Sequence, residues 1–115
     1  MSVALSSKLH RMSNGVYLHW CPGCQHRHAF YVDTPAPGGA RWNFLNNDPQ
    51  RPSFTPSMRI WHEADGDPSD PNDYIPRTTI CHYVLTDGVI DFLGDCQHEL
   101  RGMKVALPDM PAWKE

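Results

Sequence analysis

Cys21-Pro22-Gly23-Cys24 constrains this chain more than any other stretch. Two cysteines three positions apart, with Pro and Gly between them, sit on one tight turn that aims both sulfurs at a single point. Backbone N–H groups left free by such a turn donate to sulfur and favour the thiolate, the form that binds a soft cation. The natural cation is Zn²⁺, held tetrahedrally by Cys and His. Two more ligands are needed. The other cysteines, Cys81 and Cys96, lie far downstream, in Cys81-His82 and Asp95-Cys96-Gln97-His98. One metal is therefore expected to clip together two arms distant in sequence. Cys21, Cys24 and Cys81 supply three thiolates, and Cys96 or His98 supplies the fourth ligand.

Composition narrows the field. A chain of 115 residues suits one domain with a modest core. Eleven prolines and eight glycines leave little room for long helices. A net charge of −3 argues against nucleic acid, whose binders carry a basic excess. No run approaches the roughly 20 apolar residues of a membrane span. The N-terminal Met-Ser-Val-Ala-Leu-Ser-Ser-Lys is too polar for a secretory signal, so a cytoplasmic location and reduced cysteines are expected. A thioredoxin-like reading of Trp20-Cys21-Pro22-Gly23-Cys24 fails, because Cys24 is followed by Gln-His-Arg-His and a short strand rather than an amphipathic helix.

The pattern along the chain predicts a mostly β, zinc-ribbon-like single domain over residues 1–115, with hairpins, long proline-rich loops and a core from about residue 15 to 108. Residues 1–14 read as a polar lead-in with one short helix. Residues 15–20 alternate, with Val16, Leu18 and Trp20 on one face, and residues 29–32 form a second strand. Arg41 to Leu45 is a strand with Trp42 and Phe44 inward. Arg51-Pro52-Ser53-Phe54-Thr55-Pro56-Ser57 has prolines four apart and is expected to be extended but outside any central strand. Met58 to Trp61 is a strand, residues 62–77 are an acidic surface loop, and Trp113 in the tail docks on the body. Asp87-Gly88 between two β-rich runs predicts a two-residue hairpin turn that pairs Leu85 with Ile90 and Tyr83 with Phe92. Directly paired residues share a face, so Cys81 points with Tyr83 and Leu85, and His82 points the other way. Continued pairing brings Cys96 one diagonal step from Cys81. Residues 99–101 form one helical turn closed by Gly102, and a last strand follows.

The order of motifs resembles a family of small bacteriophage and prophage proteins of unknown function, often labelled "ammonia monooxygenase". The resemblance rests on Cys21-Pro22-x-Cys24 with His28, Trp42-x-Phe44, Pro52-x-Phe54-x-Pro56-Ser57, Cys81-His82, the Gly88 hairpin, and Asp95-Cys96-x-His98 with Gly102. It implies a metal-binding domain in a phage context, hence the bacterial host cytoplasm, and no established reaction. Ser can stand in that family where Cys96 stands here, which favours His98 as the fourth ligand. A chain of 115 residues offers no membrane subunit or copper framework for a monooxygenase.

Two functions follow as expectations. A closed four-ligand zinc site adds folding free energy and leaves no position for substrate. That predicts a binding module without turnover, a phage accessory protein or inhibitor of a host pathway that recognises a host or phage protein. The alternative is a small zinc-dependent hydrolase of amides or phosphate esters using His28, His82, Asp95 and His98. Its difficulty is geometric, because the hairpin register turns His82 away from Cys81.

Overall fold

In a computed structural model that describes residues 2–111, the Asp87-Gly88 turn fixes the central hairpin in the register its sequence predicts. Both turn residues take positive φ, 49° and 74°, which a two-residue turn between twisted strands requires. The flanking strands are β7 (Thr78–Thr86) and β8 (Val89–Phe92), with Leu85 opposite Ile90 and Tyr83 opposite Phe92. These join β5 (Asn43–Phe44), β6 (Phe54–His62) and β9 (Lys104–Ala106) in an antiparallel sheet of order β5-β6-β7-β8-β9. A second antiparallel sheet holds β1 (Ser2–Ala4), β2 (His10–Met12), β3 (Val16–Cys21) and β4 (His26–Tyr31) in sequence order. The fold is all-β and forms one small domain. No helix of the described residues is long and apolar enough to cross a membrane.

Three expectations need correction. The lead-in is a strand pair rather than a helix. Ser6 accepts from the N–H groups of Lys8 and Leu9 through its hydroxyl and turns the chain back, and Leu9 is fully buried. The segment from Phe54 to Pro56 belongs to β6 despite Pro56. The register between β6 and β7 shifts between Phe54 and Met58, and the strand bulges there, which is where a sheet tolerates proline. Residues 98–103 form turns, not a helix, closed by Arg101 N–H to the His98 carbonyl and Met103 N–H to the Leu100 carbonyl. Trp113 lies outside the described residues.

The sheets meet through aromatic side chains. Phe30 of β4 stacks on Phe54 of β6 with centroids 4.2 Å apart, and Phe44 stacks on the other face of Phe54 at 4.8 Å. Fully burying one such ring stabilises by about 1.5–3 kcal/mol. The face of β3 that meets this core carries Tyr17, His19 and Cys21. Among these apolar groups lies a polar chain: the Tyr83 hydroxyl is 2.6 Å from His19 Nε2 and 3.1 Å from His28 Nδ1. Burial pushes His19 down to about 4. It pushes His28 down to about 3, helped by the neighbouring histidines.

A stability prediction follows. The unfolded chain takes up these protons near the ordinary histidine value of 6.5, whereas the folded chain resists until about 4 at His19. Stability is therefore whole above pH 6.5 and declines as pH falls toward 4, by about 3 kcal/mol for His19. Thermal midpoints measured across that window are expected to fall. His19→Gln, which cannot take the proton, is expected to show a shallower slope than the parent; equal slopes would contradict the assignment.

Candidate functional site: a metal-ligand cluster and a serine–histidine–aspartate line

Four potential ligand atoms, one each from Cys21, Cys24, Cys81 and His98, lie within 4.8 Å of one another. Cys21 ends β3, and its carbonyl accepts from Gln25 N–H at 2.8 Å, closing the turn. The Cys24 N–H donates to Cys21 Sγ at 3.4 Å. Gly23 is required here, because a Cβ at that position would fall 2.3 Å from the His98 ring. His98 Nε2 sits 3.3 Å from Cys81 Sγ.

The thiols cannot all ionise unaided. Cys21 is drawn down to about 6, chiefly by the hydrogen bond from Cys81. Burial, then the Cys21 charge, pushes Cys24 up to about 11. The Cys21 hydrogen bond, burial and the neighbouring sulfurs push Cys81 up as well. Three crowded sulfurs thus hold one negative charge easily and resist more, a conflict that a divalent cation at their centre removes. The donor set of three thiols and an imidazole fits a soft metal ion.

Cys96 stands apart from this group. The β7–β8 ladder ends at Phe92, and the chain then turns instead of continuing to pair opposite Cys81. Cys96 Sγ accepts from the His82 N–H and donates to the His82 carbonyl, both at 3.1 Å. Gln97 N–H then donates to the Ile80 carbonyl at 2.9 Å, which carries His98 to Cys81.

The opposite face of β7 carries a second constellation. Cys81, Tyr83 and Leu85 are buried, and the alternation turns His82 outward. His82 Nδ1 lies 3.1 Å from Asp95 Oδ2, and its Nε2 lies 3.1 Å from Ser57 Oγ. The line is open to solvent, with 24% of the His82 and 49% of the Asp95 side chain exposed. Each member is placed by a different device. Ser57 lies within the β6 bulge between Phe54 and Met58, which re-aims its side chain. His82 pairs with Arg59 of β6 on one side, and on the other its carbonyl accepts from Leu93 N–H at 2.9 Å. Asp95 is carried by its neighbour Cys96, which grips the backbone of His82.

The hydrolase expectation gathers His82 and Asp95 around a catalytic metal with His28 and His98. The structure separates that group. His28 is bound into the Tyr83 chain, His98 joins the cysteines, and His82 and Asp95 face Ser57. Ser57 appears in the sequence only as the end of the Pro52-x-Phe54-x-Pro56-Ser57 segment and carries no assigned role there, because no nucleophile motif surrounds it. The available signal was a serine following Pro52-x-Phe54-x-Pro56 in a chain that also offers His82 and Asp95 without a nucleophile.

A family model described as "Bacterial ubiquitination-like system serine protease (BubE)" matches residues 2–93. No curated protein and no solved structure matches the chain. The protease description overturns the expectation of a phage accessory binding module or host-pathway inhibitor. That expectation took a closed metal site as the whole chemistry of the chain, when the metal-ligand group occupies one face of β7 and a separate set of polar side chains the other. The matched span includes Ser57 and His82 and takes in most of the 115 residues, so the chain belongs to the BubE family of bacterial ubiquitination-like system serine proteases.

Proposed function

We propose that this chain is a serine peptidase in which Ser57 is the nucleophile, His82 the general base and Asp95 the group that orients it. The observation that carries the reading is the unbroken line from Ser57 Oγ through the two ring nitrogens of His82 to Asp95. Asp95 accepts a proton-bearing Nδ1, which leaves Nε2 free to accept from Ser57. The chain order Ser…His…Asp is no objection, because such triads are defined by geometry and roles rather than by sequence position.

The chemistry runs in two halves. Ser57 Oγ attacks the scissile carbonyl carbon while His82 Nε2 takes the hydroxyl proton. The C–N bond then breaks, His82 gives that proton to the leaving amine, and the acyl group remains on Ser57. Water enters and loses a proton to His82, and its oxygen attacks the ester. The carboxylic product leaves, and Ser57 regains its proton.

Zn²⁺ is the metal that suits three thiolates and one imidazole. Cys21, Cys24, Cys81 and His98 would hold it, and a metal with these four ligands would supply folding free energy and offer no position to substrate. Bound there, it would lock the strand that bears His82 and the segment that bears Asp95. The family description names a ubiquitination-like system, which supports protein partners, and the substrate that suits a peptidase in such a system is a ubiquitin-like protein with a C-terminal extension. A ubiquitin-like domain carrying a C-terminal peptide extension tests this. The parent chain is expected to remove the extension, seen as a loss of mass, and Ser57→Ala to leave it intact. Equal cleavage by Ser57→Ala would overturn the reading.

A further inference from the structure

The sheet leaves one edge open beside Ser57. β5 pairs with β6 only at Thr55 and Phe54. From Met58 to His62, β6 pairs with β7 on one side and with no strand on the other among the described residues. Every second residue of such an edge turns its N–H and C=O outward, which is a template for another extended chain.

A groove of about 650 Å³ runs along this edge. One wall is β6 itself, with Ser57, Arg59 and Trp61. The other is the loop with Gly38, Arg41 and Trp42. The Trp42 indole donates to the Ser57 carbonyl at 3.2 Å and holds the two walls together at the nucleophile. The loop leaves open space at Gly38, where an added Cβ would meet nothing within 4 Å.

The charge of the groove is uneven. Its one carboxylate, Glu63, accepts from the Trp61 indole at 2.6 Å and from Arg77 at 3.1 Å. The two cations have no such partner among the described residues. Arg41 donates to the Val32 carbonyl, and Arg59 donates to the Thr79 hydroxyl at 2.8 Å. Arg59 lies two residues from Ser57 on the same strand, directly across from His82. Its guanidinium keeps donors to spare, suited to a carboxylate.

We propose that the substrate adds as a strand to the free edge of β6 and sets an Asp or Glu side chain, two residues from the scissile bond, against Arg59 and Arg41. This rests on the peptidase reading and deepens it. The edge supplies affinity through the backbone, and the arginines supply selectivity. An internal side chain is favoured over a terminal carboxylate because the groove continues past Arg59 to Trp61 and Glu63.

The test is digestion of a mixed peptide library by the zinc-loaded chain, with cleavage sites read by mass spectrometry. Asp and Glu are expected to be enriched about fivefold or more two residues from the cut. Arg59→Glu is expected to replace that preference by Lys and Arg, and Arg41→Glu to weaken it. Both variants change exposed side chains, and retained zinc content with an unchanged circular dichroism spectrum verifies folding. Cleavage without a charge preference, or a preference that Arg59→Glu leaves unaltered, overturns the proposal. So does a library left uncut while a fluorophosphonate still labels Ser57, a result that spares the nucleophile assignment. Cleavage that persists in Ser57→Ala defeats the peptidase reading itself and this inference with it.

Discussion

Replacing His82 by alanine is expected to lower turnover roughly 10⁴- to 10⁶-fold while leaving fold and metal content intact. His82 is the only described side chain that joins Ser57 to a carboxylate, through two contacts of 3.1 Å. Without it, the serine hydroxyl has no acceptor for its proton at the moment of attack. Ser57→Ala is expected to fall as far, and the double variant no further, because the two groups act as one unit and their losses do not add. Asp95→Asn is expected to cost about 10⁴-fold, since the amide favours the wrong tautomer of His82. Steady-state kinetics on the extension-cleavage reaction measure all four. Additive losses for Ser57 and His82 would mean that they serve separate steps.

Stripping the metal is expected to do something different, namely to unfold the chain. A structural zinc site contributes about 10–16 kcal/mol of apparent folding free energy in small peptides, against a total stability of about 5–15 kcal/mol for a typical domain. The metal-ligand cluster joins the turn after β3 to β7 and to the segment after β8, so its loss frees both sheets from each other at that end. A chelator strong enough to remove zinc is expected to abolish the cooperative thermal transition, and returned zinc to restore it. One equivalent of zinc per chain is expected. Cys81→Ser is expected to fail to hold it. Cys96→Ser is expected to keep it, because Cys96 serves the His82 backbone instead. A Cys96→Ser chain without zinc would return Cys96 to the ligand set. Activity is lost in the stripped protein with the fold, whereas the triad variants lose it with fold and zinc intact, so the two faces of β7 are separable by experiment.

The parts of this architecture that could be read beforehand are those written locally. Asp87-Gly88 sets a turn, the turn sets a register, and the register puts Cys81 on the inner face and His82 on the outer. Cys21-Pro22-Gly23-Cys24 announces a metal turn by spacing alone. The parts that resisted depend on distant pairing. Ser57 comes within reach of His82 because the four steps of β6 from Phe54 to Met58 span the same stretch as the two steps of β7 from Leu85 to Tyr83, and no local pattern encodes that offset. The spacing left Cys96 and His98 both open as the fourth ligand, and His98 joins the cysteines because the ladder stops at Phe92 before Cys96 can pair opposite Cys81. The three-residue strands β1 and β2 are too short for periodicity to reveal. The alternation that counted against His82 as a metal ligand is the same alternation that presents it to Ser57. Opposite faces of one strand carry two sites, and a search for one convergent cluster merges them.

The most direct measurement is peptide mapping of the zinc-loaded protein after reaction with a fluorophosphonate, which phosphonylates a serine only where a neighbouring base has activated it. A single adduct on Ser57 is expected, absent from the His82→Ala variant. An adduct on any other residue, or none on a protein that still cleaves its substrate, would contradict it.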